Sequence, residues 1–277
     1  MATARANDGA NLHYQVLGRR NGTPILLIAG LGEDLTGWTL QRVGLGRHFR
    51  TIAFDNRGVG RSDKPAGPYS LLQMADDATA VLDAAAIESA HVVGLSMGGA
   101  VSQILAVNHA SRVRSLTLVC TACRNHPWRR ELLMHWADTA RTKGMGALGH
   151  EALRWLVGPR SLRRYAPALG FIGPLAMHCP AAAFAAQIDA LLSFDESLAE
   201  SLVNVSVQTL VIAGNQDILT PRGDAEELAE RIPGAELVVI SGAAHGLTVE
   251  HAHTFNRIAK EFITRAEDEW RRLRAVA

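Results

Sequence analysis

The run Gly94-Leu95-Ser96-Met97-Gly98 constrains this chain more than any other. Val92, Val93 and Leu95 approach the serine as a strand would, and Ala100 to Val107 follow with helical character. G-x-S-x-G between a strand and a helix is a sharp turn. It forces its middle residue into a strained backbone and lifts the hydroxyl clear of the bend. A Cβ at Gly94 or Gly98 would clash across so tight a turn. The small run Gly98-Gly99-Ala100 lets the helix begin close against the strand. The bare motif also arises by chance, so a nucleophilic serine has to be judged by what the rest of the chain places beside it.

A strand-turn-helix of this kind belongs in a parallel sheet, and the chain supplies the other strands. Pro24–Ala29 is a continuous apolar run, as expected for a strand buried on both faces. Further strands are expected at Phe49–Phe54, Ser115–Thr121, Val207–Ala213 and Glu236–Ile240. Asn7-Asp8-Gly9 reads as the turn of an N-terminal hairpin joining Ala2–Ala6 to Asn11–Leu17. Leu71–Ile87 carries a helical stripe through Met74, Ala78, Val81, Leu82 and Ala85. The last helix presents Phe255, Ile258 and Phe262 on one face, and the charged tail from Glu267 either extends it or frays.

The pattern changes between Arg124 and Leu202. No strand-like run occurs there; helical segments at Trp128–Lys143, Leu148–Leu156, Ser161–Tyr165 and Ala181–Leu192 are broken by Gly and Pro. A helical insertion after a strand of a parallel sheet should sit over the carboxyl ends of the strands, where its connecting loops emerge. Residues 124–202 are therefore expected to form a helical cap on a core made of residues 1–123 and 203–277. The cap's His126, His135, His150 and His178 are read as surface or packing residues. Its Trp128, Trp136, Trp155 and Phe171 either wall an apolar pocket or hold the cap to the core.

Composition removes several alternatives. With 28 basic and 27 acidic residues the net charge is +1, so bulk charge attracts neither nucleic acid nor an anionic membrane. No uncharged apolar run is long enough to span a bilayer, and Met1 to Ala10 are polar with no secretory apolar segment. Three cysteines are an odd number and too few for a disulfide framework, which fits a reducing cytoplasm. Cys120-Thr121-Ala122-Cys123 is formally a C-x-x-C, read here as small residues closing a strand rather than as a redox pair.

A serine hydroxyl needs an imidazole to take its proton, and the imidazole needs a carboxylate to hold its tautomer. In a doubly wound sheet such groups come from loops at the carboxyl ends of the strands. Ser96, Asp217 and His245 each follow an expected strand, and the order Ser, Asp, His is that of one known architecture.

At this point the chain resembles the α/β-hydrolase fold family, in its serine esterase, lactonase and haloperoxidase-like branch. The matching pieces are Gly30-Leu31-Gly32, Asp55-Asn56-Arg57-Gly58-Val59-Gly60-Arg61-Ser62, Gly94 to Gly99, Gly214-Asn215-Gln216-Asp217 and Gly242-Ala243-Ala244-His245. They appear in family order from about residue 10 to 265. The resemblance implies a mostly parallel, doubly wound α/β sheet with an inserted helical cap. It also implies Ser96 as nucleophile, His245 as base and acid, Asp217 as orienting carboxylate, and the backbone N–H groups of Leu31 and Met97 as the oxyanion hole. One departure bears on how the oxyanion loop is anchored: relatives often have His-Gly there, and this chain has Ala29-Gly30.

Rival assignments fit less well. Asp224 falls in the following helix, His251 and His253 lie past the loop, and Asp55 precedes the nucleophile. Asp55 and the neighbouring arginines are read as pinning a turn. Glu33, just past the oxyanion glycines, either meets a polar substrate group or is solvated, and Trp38 is expected to pack. The expected substrate is a medium-sized hydrophobic ester or lactone, with no metal or cofactor required. A serine-dependent C–C bond hydrolase and a weakly catalytic small-molecule receptor share the same residues.

Overall fold

A computed structural model describes residues 2–164, 179–193 and 196–276. Phe171 and His178, and the end of the expected helix Ser161–Tyr165, lie outside the described residues. Eight strands form one sheet: β1 (Ala2–Arg5), β2 (Asn11–Gly18), β3 (Pro24–Ile28), β4 (Arg50–Phe54), β5 (Ala90–Leu95), β6 (Val113–Val119), β7 (Thr209–Gly214) and β8 (Glu236–Ile240). Their spatial order is β1-β2-β4-β3-β5-β6-β7-β8. The N-terminal hairpin pairs antiparallel, as does β2 with β4, and every other neighbouring pair is parallel. The hairpin turn works as its residues suggest: Gly9 takes φ +88° and the Asp8 side chain accepts from Ala10 N–H at 3.2 Å.

The sheet is covered on both faces, which is why β3 is apolar at every position. Successive residues alternate between two cores. Leu26 and Ile28 of β3 and Val92 of β5 pack with α2 (Leu71–Ala84), α3 (Met97–Asn108) and the helix Arg222–Arg231. Ile25, Leu27, Val93 and Leu95 face the other way, toward Leu45 of α1 (Thr39–Gly46) and toward Phe255, Phe262 and Ile263 of the helix Ala252–Val276. Trp38 is buried there and meets Phe255 at 6.4 Å between ring centroids. Fully burying a residue of this size is worth about 1.5–3 kcal/mol, so the two cores hold the helices to the sheet.

A third cluster adjoins the first, with Leu31 and Leu191 packed against both. It joins the helix Pro127–Leu156 to the helix Ala181–Leu192 through Leu133, Trp136, Leu148, Phe184 and Ile188, with Val59 and Leu219 from the sheet's loops. The first of these helices breaks at Gly144, where φ is +84°, which matches two expected segments separated by a glycine.

The C-terminal tail extends the last helix to Val276 rather than fraying. The Arg114 and Arg274 guanidinium groups lie 4.0 and 4.9 Å from the centre of the Trp270 ring, so its side chain is clamped. One turn earlier, Glu267 reaches the sheet. It bonds His91 Nε2 at 3.0 Å, both its oxygens accept from Arg114 at 3.1 Å, and Arg271 donates at 2.7 Å. Burial alone would raise its pKa, but these partners outweigh burial and take it down to about 2. Such a carboxylate stabilises the fold above the ordinary carboxylate pKa and loses that contribution as pH falls toward 2. A Glu267→Gln variant is expected to be less stable at pH 7 by up to about 3 kcal/mol. In urea unfolding the gap should close as pH falls from about 4.5 toward 2; a gap independent of pH would refute the charge argument.

Candidate active site

β5 delivers the chain into the turn at Ser96, whose backbone sits at φ 53°, ψ −118°. An L-residue adopts that region only where its surroundings over-determine it. Here they do. Ser96 N–H donates to Val119 O at 2.9 Å, and its carbonyl accepts from Gly99 N–H, Ala100 N–H and the Thr121 hydroxyl at 2.9, 3.2 and 2.8 Å. A Cβ at Gly98 would overlap the carbonyls of Ile28 and Ala29, and one at Gly94 would overlap Gly98 O and Ser102 Oγ. The expected glycine roles therefore correspond to real contacts between β5, β3 and α3.

The loop after β3 lies beside this turn. The N–H groups of Leu31 and Met97 have no protein acceptor among the described residues; Met97 opens α3, where an N–H has no intrahelical partner. The anchoring question raised by Ala29-Gly30 has a structural answer. Asn56 Nδ2 donates to Ala29 O at 3.1 Å. Gly32 N–H donates to Gln187 Oε1 at 2.9 Å, and Gln187 Nε2 donates to Arg57 O at 2.9 Å. Gln187 is fully buried and ties the loop after β3 to the Asp55–Ser62 loop from the helix Ala181–Leu192. Sequence reasoning passed over it; its only signal is a lone amide in the run Ala-Ala-Ala-Phe-Ala-Ala-Gln-Ile.

The Asp55–Ser62 loop is held by its own polar groups. Asp55 accepts from Leu35 N–H and Arg61 N–H, each at 2.8 Å. Arg57 makes a two-pronged pair with Asp77 at 2.7 Å and reaches Asp8 at 2.9 Å. These are the turn-pinning roles expected for Asp55 and Arg57.

Asp217 follows β7 and His245 follows β8. Both are buried, and His245 Nδ1 lies 2.8 Å from Asp217 Oδ2. Asp217 Oδ1 accepts from Leu219 N–H and Thr220 N–H at 2.9 Å, and Oδ2 also accepts from Thr220 Oγ1 at 2.7 Å. Burial pushes the Asp217 carboxyl up, but His245 and Thr220 outweigh it and hold its pKa below the ordinary value. The pair is thus a buried carboxylate fixing an imidazole through its Nδ1. Cys120, with φ +45°, sits behind it: its sulfur, an Asp217 oxygen and a His245 nitrogen lie within 4.8 Å of one another. Burial pushes this thiol up, and the Asp217 oxygens are already saturated with N–H and O–H donors. The trio is therefore a packed hydrogen-bonding cluster, chemically ill-suited to hold a metal. All three cysteines are free and buried, and burial raises Cys123 and Cys179 to about 12, as in unreactive thiols.

Ser96 and His245 line one cavity of about 280 Å³, together with Leu31, Met97 and Glu33. Its remaining walls are mostly apolar: Leu133, Trp136 and Leu156 from one long helix, Phe184 and Leu191 from the other, and Leu219 from the loop bearing Asp217. Trp128 is not among the lining residues. It is 39% exposed and stacks on Trp155 at 6.3 Å, and Trp155 in turn meets Trp136 edge-on at 6.4 Å. Of the three tryptophans expected either to wall a pocket or to hold the cap to the core, Trp136 lines the cavity, while Trp128 and Trp155 pack on each other within the helix Pro127–Leu156. His126, His135 and His150 stay off the cavity, paired with Asp224, Glu151 and the Gly146 carbonyl. Asp224 is taken up by a buried ion pair with Arg129, while His251 and His253 lie outside the cavity lining.

Comparison with known proteins matches this architecture. A family model described as the alpha/beta hydrolase fold covers residues 23–154, and one described as TAP-like protein covers residues 192–271. RutD of Azorhizobium caulinodans, whose name assigns it carbamate hydrolysis, is 33% identical over 264 residues, 95% of this chain and 98% of its own. The enol-lactonase of Burkholderia xenovorans LB400 superposes with a TM-score of 0.88 at 34% identity, over 95% of this chain and 99% of that one. A thermophilic esterase of Thermogutta terrifontis does so at 0.86 and 28% identity, over 96% and 97%. With relatives of this identity matched over nearly their whole length, on a sheet of this order, the chain belongs to the α/β-hydrolase fold family.

Proposed function

We propose that this protein is a serine hydrolase that cleaves a medium-sized, mainly apolar carboxylic ester or lactone through an acyl-enzyme. The observation that carries the reading is the shared cavity: a serine on a strained strand-to-helix turn and an imidazole fixed at 2.8 Å by a buried carboxylate both open into it. Ser96 Oγ attacks the carbonyl carbon while His245 takes its proton. Asp217 holds the imidazole in the tautomer that leaves the cavity-side nitrogen free to accept, and it stabilises the cation that forms. The N–H groups of Leu31 and Met97 receive the oxyanion; one such donor is worth roughly 3 kcal/mol in the transition state. His245 then protonates the leaving oxygen, and water releases the acyl group by the same route. Each proton and bond in this scheme is handled by the chain's own groups, so it calls for no metal or cofactor. The helices of residues 124–202 act as the cap: they supply the apolar walls that exclude water and shape the acyl site. Three buried, unpaired thiols suit a reducing, cytoplasmic setting. The enol-lactonase and esterase names of the similar proteins favour ester and lactone bonds, and the RutD match adds carbamates to the panel worth screening.

Two measurements test this reading. Ser96→Ala should lower kcat/KM for activated esters such as p-nitrophenyl butyrate by roughly 10⁴-fold or more with an unchanged circular dichroism spectrum. A fluorophosphonate should phosphonylate Ser96 of the parent, with loss of fluoride, and leave the variant unlabelled; parent-like turnover by the variant would refute the assignment. Gln187→Leu removes the clamp on the oxyanion loop without touching the reacting groups. Its kcat should fall on the order of tenfold, with KM for the same ester changed little. A rise confined to KM would mean the clamp shapes the acyl site instead.

A further inference from the structure

Among the described residues that line the cavity, Glu33 carries the only carboxyl. The cationic groups of the same wall are already engaged. Arg124 pairs with Glu227 at 3.0 Å; Arg129 pairs with Asp224 and donates to Leu219 O at 2.9 Å; His245 is held by Asp217. Glu33 has no such partner. The carboxyl's one hydrogen bond among the described residues is a long one, from Gly30 N–H to Oε2 at 3.3 Å.

The placement of this carboxyl is built. Gly37 leaves the space it occupies, since a Cβ there would overlap the Glu33 carboxyl group. On the other side, a Cβ at Gly30 would stand 3.5 Å from Glu33 Oε2 and 3.5 Å from Ser96 Cβ. The carboxyl and the nucleophile thus share one corner of the cavity, with a single glycine between them. Burial pushes the Glu33 pKa up and the nearby Asp34 adds to this, while the Gly30 N–H and the positive potential of His245 pull it back. An acceptor held in an apolar corner with one long hydrogen bond gains from any further donor that arrives there, and a second carboxylate beside it would be repelled.

We infer that Glu33 determines the substrate class of this site: its carboxyl accepts a hydrogen bond from a hydroxyl or amino group close to the scissile carbonyl, and it turns away substrates that carry a carboxylate at that place. The inference rests on the ester- or lactone-cleaving reading above. It makes Glu33 a specificity residue; no proton transfer in the reaction depends on it.

The test is a set of matched esters and the isosteric variant Glu33→Gln, which keeps the acceptor for Gly30 N–H and removes the charge. On the acyl side the p-nitrophenyl esters of butyrate, 3-hydroxybutyrate and succinate are compared. On the leaving side the set is the ethyl, 2-hydroxyethyl and carboxymethyl esters of butyrate. The parent should favour the hydroxyl-bearing member and disfavour the carboxylate-bearing member on at least one side. Glu33→Gln should raise kcat/KM for the carboxylate-bearing ester relative to the plain one by at least tenfold, and Glu33→Leu should abolish the hydroxyl preference. A purely structural role would lower all rates together and leave the ratios fixed, and fixed ratios on both sides would overturn the inference. If the parent turns over none of these esters, the hydrolytic reading fails instead. Glu33 is then judged by calorimetric binding of butyramide, 3-hydroxybutyramide and succinamate to parent and Glu33→Gln: an unchanged order of affinities would overturn it, and relief of succinamate exclusion would sustain it.

Discussion

The left-handed backbone at Ser96 is the constraint on which the rest of the molecule depends. Holding an L-residue there costs on the order of 1–3 kcal/mol, and the surrounding contacts keep it in place. Gly94 and Gly98 let α3 start against β3 and β5 with no side chain between them. Val119 and Thr121, at the end of β6, hold the turn from the other side. A sheet buried on both faces is what makes the turn this rigid: neither the strand nor the helix can back away without opening one of two packed cores.

That same sheet decides where polar groups gather. The loops after β3 and β5 leave toward opposite faces, so a crevice opens between them at the carboxyl ends of the strands. Gly30 to Glu33 occupy one lip and Ser96 with Met97 the other. Loops after β7 and β8 bring Asp217 and His245 to the same end. The helices above close the crevice, and Gln187 makes the closure a two-way contact, with one end on the loop after β3 and the other on the loop after β4. A residue of the covering helices thereby fixes the backbone from which the Leu31 N–H projects. Away from this end, Glu267 joins the last helix to β5 and β6 with a similar economy of buried polar groups.

Much of this was legible in the chain itself. Strands buried on both faces read as near-continuous apolar runs, so Pro24–Ile28 announces its place. Gly94, Gly98 and Ser96 announce the turn, because only that geometry needs glycines on both sides of a serine. Asp217 and His245 could be read because each directly follows an apolar strand, and loops at strand ends have few places to go. The division of the tryptophans could not be read. Trp128, Trp136 and Trp155 have the same local chemistry, and only the crossing of two helices turns Trp136 inward and leaves Trp128 at the surface. Gln187 was hidden for the same reason, since its partners Gly32 and Arg57 lie 155 and 130 residues away in the chain.

The amino-acid sequence by itself therefore determined the sheet, the turn at Ser96 and the family, because apolar periodicity and glycine placement are local and leave few alternatives. The tertiary structure alone decided what anchors the Gly30–Gly32 loop without a histidine, which tryptophan meets the cavity, and that Glu33 shares a corner with Ser96. Those outcomes depend on distances between segments far apart in the chain. Such distances are set by how side chains of two packed elements interlock, and no stretch of sequence carries that information on its own.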